Sequence, residues 1–225
     1  MSQAKKQGCV FISGGTGYMG RTLIRTLIER GHEVRALARP KSEKKLPPGC
    51  ALVPGNALDG ASFADKVRPA DTLVHLVGVS HPAPWKEKEF RAIDLASVCA
   101  SLAAAESAGI RHFVYVSVAQ PAPVLKAYVQ VRGECEALIR ASGLNTSILR
   151  PWYVLGPGHR WPYALMPFYW LLERLPATRD TARRLGLVTL DQMRDVLVWA
   201  IENPAQGVRI LTVNEIRRIS RCLMA

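Results

Sequence analysis

The chain has 225 residues, of which 48% are hydrophobic and 21% charged, as in an ordinary soluble globular protein. Its length fits one α/β domain, or one with a small appendage, and no apolar run approaches the ~20 residues that a membrane-spanning helix needs. Thirty lysines and arginines against 18 acids give a net charge of +12, which favours anionic partners or reflects solvated surfaces.

The five cysteines are odd in number and widely spaced, with no C-x-x-C pair. This pattern predicts a reducing compartment and no structural metal. The first seven residues are polar, and the apolar stretch that follows is too short for a secretory signal. We therefore expect a cytoplasmic location.

A glycine cluster follows the first apolar run of the chain. Val10 to Ile12 has the character of a buried strand, and Tyr18 to Arg30 has the apolar spacing of a helix. Strand, glycine turn and helix in this order are typical of a dinucleotide fingerprint, in which backbone N–H groups and the helix N-terminus meet a pyrophosphate. Two spellings fit, one beginning at Gly14 and one at Gly15, and both continue with Gly17 and Gly20.

The second predicted strand, Glu33–Ala38, ends at Arg39. An acid near this point would take the 2′-hydroxyl of the NAD ribose, and none is present. Arg39 could instead bind the 2′-phosphate of NADP, or it could belong to a solvated basic turn. We expect NADP(H) to be preferred, with NAD(H) as the alternative.

Strands and helices alternate along the rest of the chain. The further strands are predicted at Cys50–Val53, Asp71–Gly78, Arg111–Val118, Leu144–Leu149 and Val208–Val213, and the further helices at Ala61–Val67, Lys86–Ala108, Lys126–Ser142 and Thr189–Asn203. This alternation predicts an α/β fold with a doubly wound, mostly parallel sheet. His75, inside an apolar strand, is interpreted as a core residue rather than a ligand.

The character of the chain changes after Pro151, where aromatic residues become frequent. Leu165–Leu175 is a candidate apolar helix that could be a core helix, a pocket wall, a partner surface or a membrane-surface face. Glu215–Ala225 is basic, and its sequence predicts neither a helix nor a strand. We predict a dinucleotide-binding core at 8–150, a small C-terminal substrate or lid region at 151–213 that completes the cleft, and a basic tail at 214–225.

The chain resembles the extended and atypical short-chain dehydrogenase/reductase superfamily, with its epimerase-like members, from about Gly8 to Val213. The motifs that carry the resemblance are Gly14–Gly20, Val34–Arg39, Gly55–Asp59, His75–Gly78, Phe113–Ser117, Tyr128-x-x-x-Arg132 and Leu149–Gly158. The resemblance implies a Rossmann fold that binds NAD(P)H. The cofactor-binding residues that it implies are Gly14, Thr16, Gly17, Tyr18, Met19, Gly20, Arg39, Asn56, Ala57, Leu76, Val77, Gly78, Pro151, Tyr153 and Val154.

The resemblance also implies a catalytic set. Ser117 and Tyr128 match the serine and tyrosine of the superfamily, where tyrosine is the general acid/base and serine steadies the substrate oxygen. Arg132 stands where a lysine is expected, on the same helical face as Tyr128. A guanidinium there could favour tyrosinate, although the exchange is not conservative at a tight site. The structural alternative is an exposed helical pair.

Two functions follow from the resemblance. One is an NADP(H)-dependent oxidoreductase that moves hydride to or from the carbonyl of an unidentified small molecule. The other is a redox sensor or accessory subunit that binds the nucleotide without turning it over. Nucleic acid is not an expected partner, membrane-surface contact is disfavoured, and the protein is expected to be a monomer or a homodimer that pairs through its two long helices.

Overall fold

A computed structural model describes residues 8–156 and 184–224, and the structural statements below concern these residues. Their strands are β1 (Cys9–Ser13), β2 (Glu33–Ala38), β3 (Ala51–Pro54), β4 (Thr72–His75), β5 (His112–Val116), β6 (Thr146–Arg150), β7 (Tyr153–Leu155), β8 (Leu187–Thr189) and β9 (Val208–Thr212). Their α-helices are α1 (Tyr18–Glu29), α2 (Glu87–Glu89), α3 (Ala96–Ala108), α4 (Lys126–Ala141), α5 (Leu190–Glu202) and α6 (Val213–Met224).

Seven strands form one parallel sheet in the order β3-β2-β1-β4-β5-β6-β9. From β1 the chain builds outward to β3, and it then crosses back to place β4 on the other side of β1. Ligands of such sheets bind beyond the carboxyl ends of the strands where this reversal occurs. The predicted doubly wound α/β fold is confirmed, and the ends of β1 and β4 mark its switch point.

Helices cover both faces of the sheet. Side chains alternate along β1, so that Phe11 packs into a cluster with α3 and α4, while Ile12 packs into a second cluster with α1, α5 and α6. Both residues are fully buried, as are most of the apolar side chains of the central strands. The strands are therefore apolar on both faces, which explains their continuous hydrophobic runs.

The predicted helix Lys86–Ala108 is continuous from Glu87 onward, but its hydrogen-bond pattern changes along its length. A 3-10 turn at Pro84–Lys86 and the single turn α2 lead into a π-helical stretch at Phe90–Leu95, and only then does α3 begin. The wider stretch buries Phe90 and Asp94 on one side, and the Phe90 ring lies 5.1 Å from the ring of Tyr128. The prediction of a long helix is therefore confirmed, while the 3-10 turn before it and the π-helical stretch within it do not follow from local periodicity.

The predicted helix Ala61–Val67, in contrast, is absent. Two 3-10 turns, Gly60–Ser62 and Ala64–Lys66, replace it, and the Asp59 carboxylate accepts a hydrogen bond from the N–H of Ala61 at the start of the first. The Phe63 side chain between them is fully buried. Seven residues are too few for a stable α-helix unless packing supports it, and here the packing anchors a single aromatic ring.

The C-terminal part returns to the main sheet. Thr189 caps α5 through a reciprocal capping box with Gln192, and β9 pairs with β6. Residues Val213–Met224 form α6, in which Val213 and Ile216 are buried. For most of these residues the sequence predicts neither a helix nor a strand. The division at residues 150 and 213 stays a prediction, and Leu165–Leu175 lies outside the described residues. No helix within the described ranges is both long and apolar enough to cross a membrane.

Candidate functional site

Two adjoining clefts, of about 340 and 590 Å³, lie along the carboxyl ends of the strands. The first lies over the ends of β1 to β4, and the second lies between the starts of α1 and α4 and the residues that follow β6. Leu76 and Val79, just after β4, line both. The two clefts therefore form one groove across the switch point of the sheet.

The glycine turn closes one side of this groove. Gly14 has φ +86°, and a Cβ on it would lie 2.8 Å from the carbonyl carbon of Leu76. A Cβ on Gly20 would lie 2.5 Å from the Gly14 oxygen, so Gly20 lets α1 pack against the turn rather than lining the groove. A Cβ on Gly15 would meet the side chain of Ala36 instead. Gly14 and Gly17 face the groove, which favours the spelling that begins at Gly14.

The start of α1 is suited to an anion. Gly17 is its N-cap and offers no side chain to the first N–H groups, and the first turn contains no acid. Uncapped N–H groups and the positive end of the helix dipole favour negative charge at this point. The close backbone approach at Gly14 leaves room for a pyrophosphate beside them. The turn therefore fits the nucleotide cofactor that the sequence implies.

The far end of the first cleft is lined by Arg39, Asn56 and Ala57. Arg39 follows β2 and is exposed, and its guanidinium forms no hydrogen bond or ion pair with the described residues. The Asn56 side chain accepts a hydrogen bond from the N–H of Leu58, which holds it at the cleft. Glu89, which the sequence analysis did not single out, lines the same cleft.

Tyr128 and Arg132 lie side by side at the second cleft. They are 9% and 5% exposed, so the alternative of an exposed helical pair is wrong. Arg132 Nη2 forms an ion pair with Asp94 Oδ1 at 2.6 Å, and Nη1 donates to the Tyr115 hydroxyl and the Val116 carbonyl, both at 3.0 Å. The guanidinium carbon is 5.2 Å from the centre of the Tyr128 ring.

A glycine, Gly78, leaves room for the Arg132 side chain, and a carboxylate, Asp94, holds it in place. A Cβ on Gly78 would overlap Arg132 Nη2, so only glycine leaves space for the guanidinium there. Asp94 Oδ2 accepts a hydrogen bond from the N–H of Val79 at 3.3 Å, which ties the π-helical stretch to the loop after β4. Arg132 Nε is buried and has no hydrogen-bond partner among the described residues. The pair therefore joins α4 to the wall that the two clefts share.

Ser117 lines the second cleft but donates its hydrogen bond away from Tyr128. Its Oγ donates to Glu136 Oε1 at 2.7 Å, and the same carboxylate accepts from Gln120, Arg140 and Arg150. Burial acts to raise the pKa of Glu136, but the hydrogen bond from Arg150 and that from Ser117 hold the pKa below its usual value. Glu136 is thus a buried anion that fixes the orientation of Ser117.

The protonation of Tyr128 differs from the expectation of a favoured tyrosinate. Burial raises the pKa of the phenol above its ordinary value, and the Arg132 charge opposes this rise without reversing it. Asp94 neutralises much of that charge at 2.6 Å. The phenol is therefore protonated near neutral pH.

The structure brings most of the sequence-predicted residues to the groove. The first cleft contains Gly14, Thr16, Gly17, Arg39, Asn56, Ala57, Leu76, Val77 and Gly78, and the second contains Tyr18, Met19, Leu76, Ser117, Tyr128, Arg132, Pro151, Tyr153 and Val154. Gly20 lies beneath the turn. Sequence reasoning missed Asp94 and Glu136. Glu136 lies four residues before Arg140 on α4, a spacing that could have indicated their ion pair, whereas nothing near Asp94 marks it.

Comparison with known proteins agrees with this geometry. A family model described as NAD(P)H-binding matches residues 14–163. The 3-beta-hydroxysteroid dehydrogenase of Mycolicibacterium neoaurum is 30% identical over 117 residues, which are 49% of this chain and 32% of that protein. The ceramide reductase of Caulobacter vibrioides is 25% identical over 214 residues, 94% of this chain and 66% of that protein. The chain thus spans about a third of the first relative and just under two thirds of the second.

Solved structures show the same fold. The Bordetella bronchiseptica enzyme WbmH in complex with NAD+ has a TM-score of 0.69 at 19% identity, covering 97% of this chain and 81% of that one. MoeE5 in complex with UDP-glucose and NAD has a TM-score of 0.69 at 21% identity, covering 96% and 82%. The match of the family model to more than half of the chain shows that the chain belongs to the NAD(P)H-binding family, and the two solved structures share its fold.

Proposed function

We propose that the protein is an NADP(H)-dependent oxidoreductase that reduces a carbonyl compound, with Tyr128 as the proton donor. The observation that carries the proposal is the shared groove. Tyr128 and Ser117 line a cleft that adjoins the glycine turn through Leu76 and Val79. A cofactor along the groove and a substrate at Tyr128 would then lie next to each other.

The preference for NADP(H) rests on Arg39. Its guanidinium lines the first cleft, where the superfamily's NAD-binding members would have an acid, and it has no partner among the described residues. A phosphate on the ribose would give it a charge-assisted hydrogen bond. Glu89 in the same cleft is an acid, but it lies on α2 rather than at the end of β2.

The protonation of Tyr128 favours reduction. When bound, the cofactor supplies a hydride. The buried phenol holds its proton at neutral pH and can donate it to the oxygen of a carbonyl group. Ser117 donates to Glu136, so its hydroxyl has to rotate before it can donate to that oxygen. Arg132 keeps its positive charge beside the ring and would stabilise the phenolate that remains after proton transfer.

The test is Tyr128→Phe. Removing the hydroxyl should lower NADPH oxidation with a panel of aldehydes and ketones by about 10²–10⁴-fold, the usual contribution of a general acid. NADPH affinity, measured by fluorescence titration, should stay within a few-fold. Ser142→Ala, which removes a hydroxyl at the other end of α4 and away from both clefts, is the control and should retain turnover. Turnover by Tyr128→Phe at the unmodified rate would exclude Tyr128 as the proton donor.

A second candidate is a nucleotide-binding redox sensor or accessory subunit without turnover. The observation that favours it is the Arg132–Asp94 ion pair. A guanidinium held by Asp94 is less free to contact a bound ribose than an unpaired lysine ammonium would be. In that case the unmodified protein should bind NADPH and reduce no carbonyl in the panel. Arg132→Lys, which restores the residue of the superfamily, should also leave it inactive.

We further propose a cytoplasmic protein, monomeric or paired through α3 and α4. The free thiols of its cysteines support a reducing compartment. Size-exclusion chromatography with light scattering distinguishes the two oligomeric states.

A further inference from the structure

Most side chains that line the second cleft are apolar. The polar ones are Ser117, Tyr128 and Arg132, together with Tyr18, His81 and Tyr153. The apolar wall includes Val79, Pro82, Val118, Leu125, Trp152 and Leu187. Its volume of about 590 Å³ lies within the range of small-molecule sites, roughly 300–1,000 Å³.

Arg132 is the one lysine or arginine among the described residues of this wall. Arg132 is already committed to Asp94, Tyr115 and Val116 by an ion pair and two hydrogen bonds. A diphosphate buried against such a wall would lose its hydration without gaining the paired cations that make its burial favourable. The described wall is thus poorly suited to a nucleotide-sugar substrate.

The rim of the cleft is also apolar. Val124 lines the cleft and is 55% exposed. Trp85 is 83% exposed and lies in the turn Pro84–Lys86, on the same loop as Pro82. Val124 thus extends the apolar wall of the cleft to its exposed edge.

We propose that the substrate is an uncharged carbonyl compound with a long apolar body, of the kind found in lipids. Its carbonyl group lies at Tyr128, and its body runs along the apolar wall and leaves past Val124. This proposal rests on the proposed function for the position of the carbonyl group. It selects a lipid-like ketone over a sugar attached to a nucleoside diphosphate.

Binding tests the proposal without relying on turnover. The probes are 2-butanone, 2-hexanone and 2-octanone, titrated into the full chain saturated with NADP+ and followed by calorimetry. Each methylene buried against the wall should raise affinity about fourfold. UDP-glucose, added in excess, should not compete. Equal affinities along the series, or displacement of the ketones by UDP-glucose, would overturn the proposal.

Turnover of the same ketones with NADPH separates this proposal from the proposed function. Affinity that rises with chain length in a protein without turnover supports the apolar site and contradicts the oxidoreductase. Turnover without a dependence of affinity on chain length supports the oxidoreductase and contradicts the apolar site.

Val124→Asp examines the path of the apolar body. A carboxylate at the rim should lower the affinity for 2-octanone by at least tenfold and that for 2-butanone much less, because only the longer chain reaches Val124. Leu223→Asp is the matched control, since Leu223 is 52% exposed on α6 and lies away from the cleft. It should bind every ketone like the unmodified protein. An equal effect of Val124→Asp on both ketones, or no effect on either, would contradict the proposed path.

Discussion

The two ends of the groove are built from different parts of the chain. At the glycine end the backbone forms the surface, and its fit depends on the missing side chains of Gly14 and Gly17 and on an uncapped helix N-terminus. At the tyrosine end the surface is formed by buried side chains held by ion pairs, such as Arg132 with Asp94. At the glycine end, a substitution can therefore abolish binding with little loss of stability. At the tyrosine end, a substitution that weakens binding also lowers stability, because each buried charge needs its partner.

Gly17→Val tests the independence of the glycine end and should have the largest effect on binding. Gly17 is exposed at φ −74°, and its Cβ would approach only the Gly14 oxygen, at 3.2 Å. The fold should therefore lose at most about 1 kcal/mol, while the branched side chain fills the space of the pyrophosphate. Fluorescence titration should detect no binding of NADPH or NADH.

Gly143→Ala is the control for this loss of stability. Gly143 follows α4 at φ +72° with open space around it, so alanine there costs a similar amount by backbone strain alone. It should bind NADPH normally. Normal binding by Gly17→Val would show that the glycine turn is only a structural feature.

Asp94→Ala should have the largest effect on stability. It leaves the Arg132 guanidinium buried without its ionic partner, which typically costs about 3–5 kcal/mol. The free energy of unfolding in urea measures the loss. Asp94→Ala combined with Arg132→Met removes both charges and should recover most of it. A double variant no more stable than the single one would show that the unpaired Arg132 charge is not the cause of the loss.

The same contrast explains what could be predicted from the sequence. The glycine end lies within one continuous stretch, Gly14–Gly20, so its spelling and its flanking strand and helix identify it locally. The partners at the tyrosine end come from separate elements, and Glu136 lies 19 residues from Ser117. Pairs at such distances follow from packing rather than from periodicity. The π-helical stretch that brings Asp94 to Arg132 has no signature in the residues themselves.

Arg39→Ala should have a smaller effect, confined to cofactor choice. Loss of one charge-assisted contact costs about 1.5–3 kcal/mol, so the ratio of NADPH to NADH affinity should fall by about one to two decades. Unfolding in urea should not change, since the exposed guanidinium has no partner among the described residues. Arg25→Ala removes the same charge from the exposed face of α1 and should leave the ratio unaltered. Equal affinities of the unmodified protein for the two nucleotides would contradict the proposed preference.

The smallest effect concerns the junction of the two ends, beneath Leu76. His75 is fully buried at the end of β4, with Nδ1 2.9 Å from the hydroxyls of Ser13 and Ser101. Burial, together with the Arg132 charge, lowers the pKa of His75 from 6.5 to about 3. The unfolded chain then binds a proton below pH 6.5 that the folded protein excludes, so stability is complete above pH 6.5 and is lost as the pH falls towards 3.

At pH 5 this difference amounts to about 2 kcal/mol for His75, at about 1.4 kcal/mol per pH unit. His112, whose pKa burial lowers to about 4, should add a similar loss. His75→Gln keeps a hydrogen-bonding side chain but cannot take up the proton, so urea unfolding at pH 7.5 and pH 5 should show about 2 kcal/mol less acid destabilisation than in the unmodified protein. The same acid loss in both proteins would mean that His75 is not the group that titrates. A reduced loss would show that the buried imidazole sets the lower pH limit of the folded state. Both ends of the groove share this limit, because His75 contacts Ser13, just before the glycine turn, and Ser101, on the helix that follows Asp94.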